Sequence, residues 1–328
     1  MPWDSVPWFT EGGAEHSSEL ARVLAYSAFG GHEGTIGSAD LQVQALASPA
    51  ASIQVMPGAC AILNRAPGAT YQAYTARLPT LDTIAIPGTS TSARSDLIVA
   101  RIENPYSYGE TWPTPSDPKT GPYIYTRVIS GVPATTTSVR QINPSQSAIT
   151  LARIDIPANT SSITQGMIKD LREMANPRRQ RQVRYMHGLR TGGDQVGDIK
   201  HPTWEEFPQG CNWPIEIPPW ATHATIIAHW AGLAQVNPAN SYGFLRARLG
   251  AQATPLTNFD CDWAGTAQRF TFIGGGAISI PEQIRGTVQN GVLEGSGRPG
   301  YTGTLLADAG STMFFDVEFV EAPREDTF

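Results

Sequence analysis

From Asp40 onward the apolar residues of this chain recur at alternate positions in short runs, and each run ends near a proline, a glycine or a small polar residue. "DLQVQALA" (40–47), "SIQVMPG" (52–58), "ACAIL" (59–63), "TYQAYTAR" (70–77) and "DTIAIPG" (82–88) follow one another in this way. A period of two puts successive side chains on opposite faces, so these runs predict half-buried β-strands. "DLIVARI" (96–102) is more continuously apolar and predicts a central strand buried on both faces. Strands resume at "YIYTRVISG" (123–131) and "ITLARIDIP" (149–157). The stretch 104–122, rich in Pro, Gly, Ser and Tyr, reads as a long surface loop.

Two segments depart from this period. Ser17 or Ser18 can cap a helix in which Leu20, Val23, Leu24 and Ala28 share a face and which Gly30-Gly31 ends. In the second, Ser162 and Gln165 have the spacing of a capping box. Met167, Ile168, Leu171 and Met174 then form an apolar stripe, and Pro177 closes the predicted helix. The basic run Arg178, Arg179, Arg181 and Arg184 reads as a solvated linker.

Beyond it come "WPIEIP", "ATHATIIAHWAG", "GFLRARLG", "QRFTFIG", "GAISIP", "IRGTVQNGVLEG", "TGTLLAD" and "TMFFDVEFVEA", with Asn290-Gly291 as a hairpin signal. Many short strands with regular turn signals and no helix predict an antiparallel sandwich of jelly-roll type. The expected organisation is an extended arm (1–16), a β-rich domain with two short helices (17–176), a linker (177–203) and a C-terminal β-sandwich (204–328). The fold class is mainly β.

Composition narrows the function. Only 16% of residues are charged and the formal net charge is −6. Such a balance lacks the basic footprint that nucleic acid requires. No apolar run approaches the ~20 residues of a membrane helix, so membrane insertion is not expected. The opening "MPWDSVPWFTEGG" lacks the basic and apolar regions of a signal peptide, which predicts synthesis in a cytosol. Cys60, Cys211 and Cys261 are widely spaced and read as buried thiols, neither a disulfide framework nor a zinc site. His223 and His229 stand too far apart on one strand to share a metal, and Asp194, Asp198, Asp260 and Asp262 lack the further carboxylates of a calcium site. No cofactor and no metal are expected. The glycine-rich "FIGGGAIS" does not open a helix, so it reads as a turn or bulge and not as a phosphate cradle.

No nucleophile elbow, P-loop or zinc-protease motif occurs. A glycosidase needs two carboxyls across one cleft, and nothing singles out a pair among Asp82, Asp96, Glu103 and Asp155. Arg94 and Asp96 leave one face of a strand, where they can pair with each other as a structural corner. Trp213, Trp220 and Trp263 are candidates for glycan contacts, with core packing as their plainer role. In the arm, Trp3 and Trp8 follow prolines and are candidate assembly anchors that dock into a neighbouring chain. The competing destination is the core of their own domain.

"VMPGACAIL", "YQAYTAR", "TIAIPGTSTSARSDLIVARIENP", "VISGVPA" and "ITLARIDIPANTSSITQGMIKDLR" occur in an order that resembles minor tail proteins of long-tailed actinobacteriophages. The resemblance covers about residues 17–175. It implies a virion tail location, attachment of the N-terminal domain to other tail-tip proteins, a variable distal β domain and a homotrimer. It supplies no catalytic residues. The expected function is therefore that of a structural tail-tip protein, not an enzyme, with a host cell-surface glycan as a candidate partner. The alternative is a tail-associated glycan-binding adhesin or glycan hydrolase.

Overall fold

The computed structural model describes residues 17–107, 112–187, 198–199 and 203–323. The chain divides into two compact units, Met1–Pro177 and Arg178–Phe328.

The first unit opens with the α1 helix, Ser18–Ala28. The Ser17 hydroxyl accepts from the Leu20 amide at 3.1 Å, which satisfies one of the free donors of the first turn. Gly30 and Gly31, at φ of +59° and +77°, turn the chain away. The buried face is not the predicted one, because Val23, Leu24 and Ala28 point outward. Arg22 and Tyr26 attach the helix instead. Arg22 Nε donates to Gln72 Oε1 at 2.6 Å and its guanidinium lies over the Tyr74 ring, while Tyr26 meets Tyr71 edge-on at 5.5 Å.

Among the described residues ten strands follow in this unit: β1 (Gly34–Thr35), β2 (Val43–Ala50), β3 (Ser52–Val55), β4 (Gly58–Leu63), β5 (Ala73–Leu78), β6 (Asp82–Ala85), β7 (Arg94–Ile102), β8 (Ile124–Val132), β9 (Ala148–Ile156) and β10 (Ile168–Asp170). They form three antiparallel sheets, in the orders β1-β4-β5, β2-β3-β6 and β10-β9-β7-β8. Ile53, Val55, Ile62, Ile98, Leu151 and Ile154 belong to the core these sheets enclose. Leu97 and Val99 pack into a second cluster with Val139 and Leu171, so β7 is buried on both faces as its composition predicts.

The predicted second helix does not form. Gln165–Met167 is a single 3-10 turn, and Ile168–Asp170 is an edge strand paired with β9. Among the described residues the unit has one α-helix, not two. The reason is local: the Gln165 side chain accepts from the Ala45 amide, so it caps no helix. Of the apolar residues read as a stripe, Met167 and Ile168 instead join one core cluster and Leu171 the other.

The second unit contains eight long strands among the described residues: β11 (Arg179–His187), β12 (Asn212–Glu216), β13 (His223–Gln235), β14 (Ser241–Leu249), β15 (Thr257–Cys261), β16 (Gln268–Ser279), β17 (Val288–Gly297) and β18 (Thr312–Val320). One sheet runs β11-β18-β13-β16 and the other β12-β17-β14-β15, all antiparallel. In chain order this is 1-8-3-6 against 2-7-4-5, two interleaved Greek keys, which is the jelly roll. Trp230, Phe259, Phe315 and Phe319 fill the space between the sheets. The indole N–H of Trp230 donates to the Phe207 carbonyl at 3.2 Å, so burying it leaves no unpaired donor.

Three expectations are corrected in this unit. Arg179–His187 is no linker but the first strand of the jelly roll, paired along its whole length with β18. Its arginines looked solvated because their carboxylates lie far away in sequence: Arg178 pairs with Glu321, and Arg181 with Asp316. Asn290-Gly291 is not a hairpin turn. It lies inside β17, where a Cβ at position 291 would stand 2.8 Å from Ile215 Cγ1 and 2.9 Å from Phe315 Cζ. "QRFTFIG" and "GAISIP" are one continuous strand, β16, and the glycines between them are strand residues. A Cβ on Gly274 would sit 2.0 Å from Thr257 Oγ1, and one on Gly276 would sit 2.6 Å from Pro255 Cδ. Glycine lets the chain around Pro255 and Thr257 cross this strand closely.

Candidate functional site

At the start of β7, Arg94 Nε donates to both Asp96 carboxylate oxygens at 2.8 and 3.0 Å. The Arg94 guanidinium also donates to the Pro87 and Gly88 carbonyls, and Asp96 accepts from the Gly131 amide at 3.0 Å. Asp96 is fully buried. The pair thus ties the β6–β7 connection, the β7 strand and the end of β8 together. Both partners hold the carboxylate inside the unit.

The other segments of the ordered motif do similar work. Gly58 meets the Asp40 backbone so closely that a Cβ would lie 2.6 Å from Asp40 Cα. Asp40 Oδ2 accepts from the Gly37 and Ala59 amides. Arg172, nearly fully buried, donates to Asp170 and to the Ser38 and Asp40 carbonyls. The residues recurring from 57 to 172 therefore staple sheets and turns to one another, and Arg94, Ser95, Gly131, Val132 and Asp155 among them line a cavity of about 580 Å³.

The carboxylates weighed for hydrolysis do not form a pair. Register places Asp155 opposite Ser95, whose hydroxyl donates to it at 2.7 Å, so Asp155 and Asp96 leave opposite faces of the sheet. The Arg153 guanidinium, bonded to Asp155 at 2.8 and 2.9 Å, holds its carboxyl below the usual range, and Ser95 adds to this. Burial pushes the Glu103 carboxyl up, but hydrogen bonds from Arg127 and Arg101 more than offset it and leave it lowered. Every buried Asp or Glu among the described residues (Asp96, Glu103, Glu294 and Glu321) is in an ion pair with arginine. Asp82 stands at the start of β6 and lines a cavity with Arg127.

Cys60, Cys211 and Cys261 are buried free thiols. Burial, aided by nearby carboxylates, pushes Cys60 up to about 12 and Cys261 up to about 11, and raises Cys211 as well. They are kept protonated and poorly nucleophilic. His223 is buried with Nδ1 2.9 Å from the Thr222 hydroxyl, and His229 lies edge-on to Phe314. No cluster of metal-ligating side chains occurs among the described residues. Asp194 lies outside them, and Asp262 accepts from Asn240 at 2.6 Å.

The structure does not bring Trp213, Trp220 and Trp263 together as a platform. Trp213 and Trp220 pack half-buried against the jelly-roll core, the first 6.1 Å from the Phe315 ring and the second under the Arg178 guanidinium. Trp263 follows β15, where its amide donates to Asn240. Trp3 and Trp8 lie outside the described residues.

An aromatic surface that the tryptophan count misses lies on the outer face of the second sheet. Alternation in "SYGFLRARL" turns Tyr242, Phe244, Arg246 and Arg248 outward on β14. Tyr242 packs against the exposed Tyr301, the ring centroids 5.3 Å apart and the planes tilted by 33°, and lies under Arg298, while Arg246 lies 4.0 Å over Trp204. The alternation was legible. The partner rings come from distant connections and were not.

No known family model matches the chain, and no curated protein matches it. Solved structures do. An infectious bursal disease virus structure (Gx strain) is 11% identical, with a TM-score of 0.24 over 89% of this chain and 80% of that one. A D431N mutant VP2 protein of the same virus, in T=1 particles, is 10% identical with a TM-score of 0.25 over 93% and 79%. An insecticidal delta-endotoxin of Bacillus thuringiensis is 7% identical with a TM-score of 0.22 over 88% and 51%. Likenesses at this level carry no argument about function.

Proposed function

We propose that this chain is a structural component of a virion tail tip and not an enzyme. In this reading the first unit attaches to other tail proteins and the jelly roll faces outward, toward the host surface. The observation that carries it is the use of the motif residues. The segments that resemble actinobacteriophage minor tail proteins are spent on Arg94–Asp96–Gly131 and Asp170–Arg172–Asp40 staples, which hold a scaffold. The homotrimer implied by the same resemblance belongs to this proposal, since closed rotational symmetry gives identical chains one shared face. Labelling the chain in intact particles tests it: label at the tail tip, in multiples of three copies, is the expected result. Label confined to the cytosol would overturn it, as would glycan hydrolysis by the purified chain that a single carboxylate substitution abolishes.

A second reading, a glycan-binding adhesin, is favoured by the tilted Tyr242–Tyr301 pair flanked by Arg298. Exposed rings of this kind can stack on sugar faces. Glycan titration that loses its signal in Tyr301→Ala supports this reading, and unchanged binding removes it.

A further inference from the structure

On the jelly-roll sheet β11-β18-β13-β16, register sets Tyr185 opposite Phe314, Phe314 opposite His229, and His229 opposite Ile273. Residues directly opposite one another leave the same face, so these four side chains form a row across the sheet. The neighbouring row is Val183, Asp316, Ile227 and Gly275. Both rows lie on the outer face, because Phe315, Val317, Ile226 and Ala228, at the alternate positions, belong to the core between the sheets. Val183, Tyr185, Ile227, Ile273 and Phe314 are nevertheless 38–61% exposed. Contiguous exposed apolar side chains of this kind mark interaction surfaces.

Charge, shape and area select the occupant. The charges bordering the patch are paired within the chain: Arg181 with Asp316, Arg179 with Glu318 at 3.8 Å and Arg269 with Asp308 at 2.7 Å. A strongly acidic or basic partner gains little from such a face, whereas two copies of it meet without like-charge repulsion. The same face of a second copy also carries the same twist, and sheets of like twist pack aligned about 10 Å apart. Four strands about 4.8 Å apart, paired over nine residues at about 3.3 Å each, give a face of roughly 570 Å². Two such faces together bury roughly 1,100 Å², above the ~1,000 Å² that a specific interface should clear.

We infer that the outer face of this sheet pairs with the same face of a second copy of the chain, with Ile227, Ile273 and Phe314 at the centre of the contact. This goes beyond the tail-tip reading and does not rest on it, because pairing here joins two chains whether or not another face builds the trimer.

Sedimentation of the full chain tests it, with a concentration-dependent doubling of mass as the expected result. Ile273→Glu places a charge in the patch and should raise the dissociation constant of that step by about a hundredfold or more. Ile227→Ala combined with Ile273→Ala adds no charge and should still weaken pairing by about tenfold or more, which covers the case in which the Glu variant fails to fold. Val288→Glu, at an exposed position on the other sheet, should leave pairing unchanged. Thr271→Cys puts a thiol on the same face two residues from Ile273, and the three native cysteines are buried. A maleimide should modify position 271 about tenfold faster once dilution separates the copies. A chain that never doubles its mass would overturn the inference, as would pairing that the patch variants leave intact or that Val288→Glu weakens equally. Protection of position 271 that dilution does not change would also overturn it, because the same chain would then cover the face.

Discussion

Asp96 shows what one side chain carries in this protein. It is fully buried and its charge is balanced by Arg94, so removing the arginine strands a carboxylate inside the unit. Breaking a buried pair from one side costs about 3–5 kcal/mol. Arg94→Ala is therefore expected to lower the urea stability of the first unit by roughly that amount, with no change in the second unit. A loss under about 1 kcal/mol would mean that the pair behaves as a surface bridge. A second residue-scale expectation concerns acid. Asp155, Asp308 and Glu103 all have carboxyls lowered in the folded chain, Asp308 chiefly through Arg269. A group lowered on folding adds stability above its unfolded value and loses it as pH falls through its folded value. Stability from these groups should hold from neutral pH down to about 5, then decline below about pH 4, where free carboxyls begin to protonate. Melting temperatures measured between pH 7 and 3 check this. Stability that rose through that acid range would contradict the shifts.

At the scale of elements, what was legible depended on whether the signal was local. The strands of the first unit were readable because alternation, proline and glycine all lie within each segment. Arg179–His187 was not, because its arginines find their carboxylates on β18, more than a hundred residues away. Glycines misled in the same way. Asn290-Gly291 and Gly274–Gly276 carry the composition of turns, yet each serves a close approach set by distant residues. The candidate site followed this rule too: Arg94 and Asp96 were readable as a corner from their spacing, whereas the Tyr242–Tyr301 pair needed the fold. The glycines provide a test. Gly275 lies in β16 at φ +151°, where a Cβ would fall 2.0 Å from the Ile226 carbonyl oxygen. Gly275→Ala should destabilise the jelly roll by about 3 kcal/mol, the upper end for overpacking. Gly166→Ala, which meets open space, should be close to neutral. Chemical denaturation of both variants checks the pair, and equal effects would show that close approach does not set the cost.

The whole molecule is organised around separate cores. Ile53, Ile62, Ile98, Leu151 and Ile154 belong to the first unit, and Trp230, Phe259, Phe315 and Phe319 to the second. Each unit, Met1–Pro177 or Arg178–Phe328, is long enough to bury about 68–70% of the surface its unfolded chain exposes. Domains of about this size with a core of their own usually unfold cooperatively. The division falls at Pro177, directly before the strand that opens the jelly roll, so a cut there severs neither sheet. A cut at 203, by contrast, would remove β11 and leave β18 as an exposed edge, taking Arg181 from Asp316 and Arg178 from Glu321. Residues 1–177 and 178–328 expressed separately should each fold, and their calorimetric transitions should reproduce two transitions in the full chain. A fragment beginning at 204 should melt markedly lower than one beginning at 178, or fail to fold. A single transition in the full chain, with neither fragment folding alone, would show that the two cores form one cooperative body and would overturn the division.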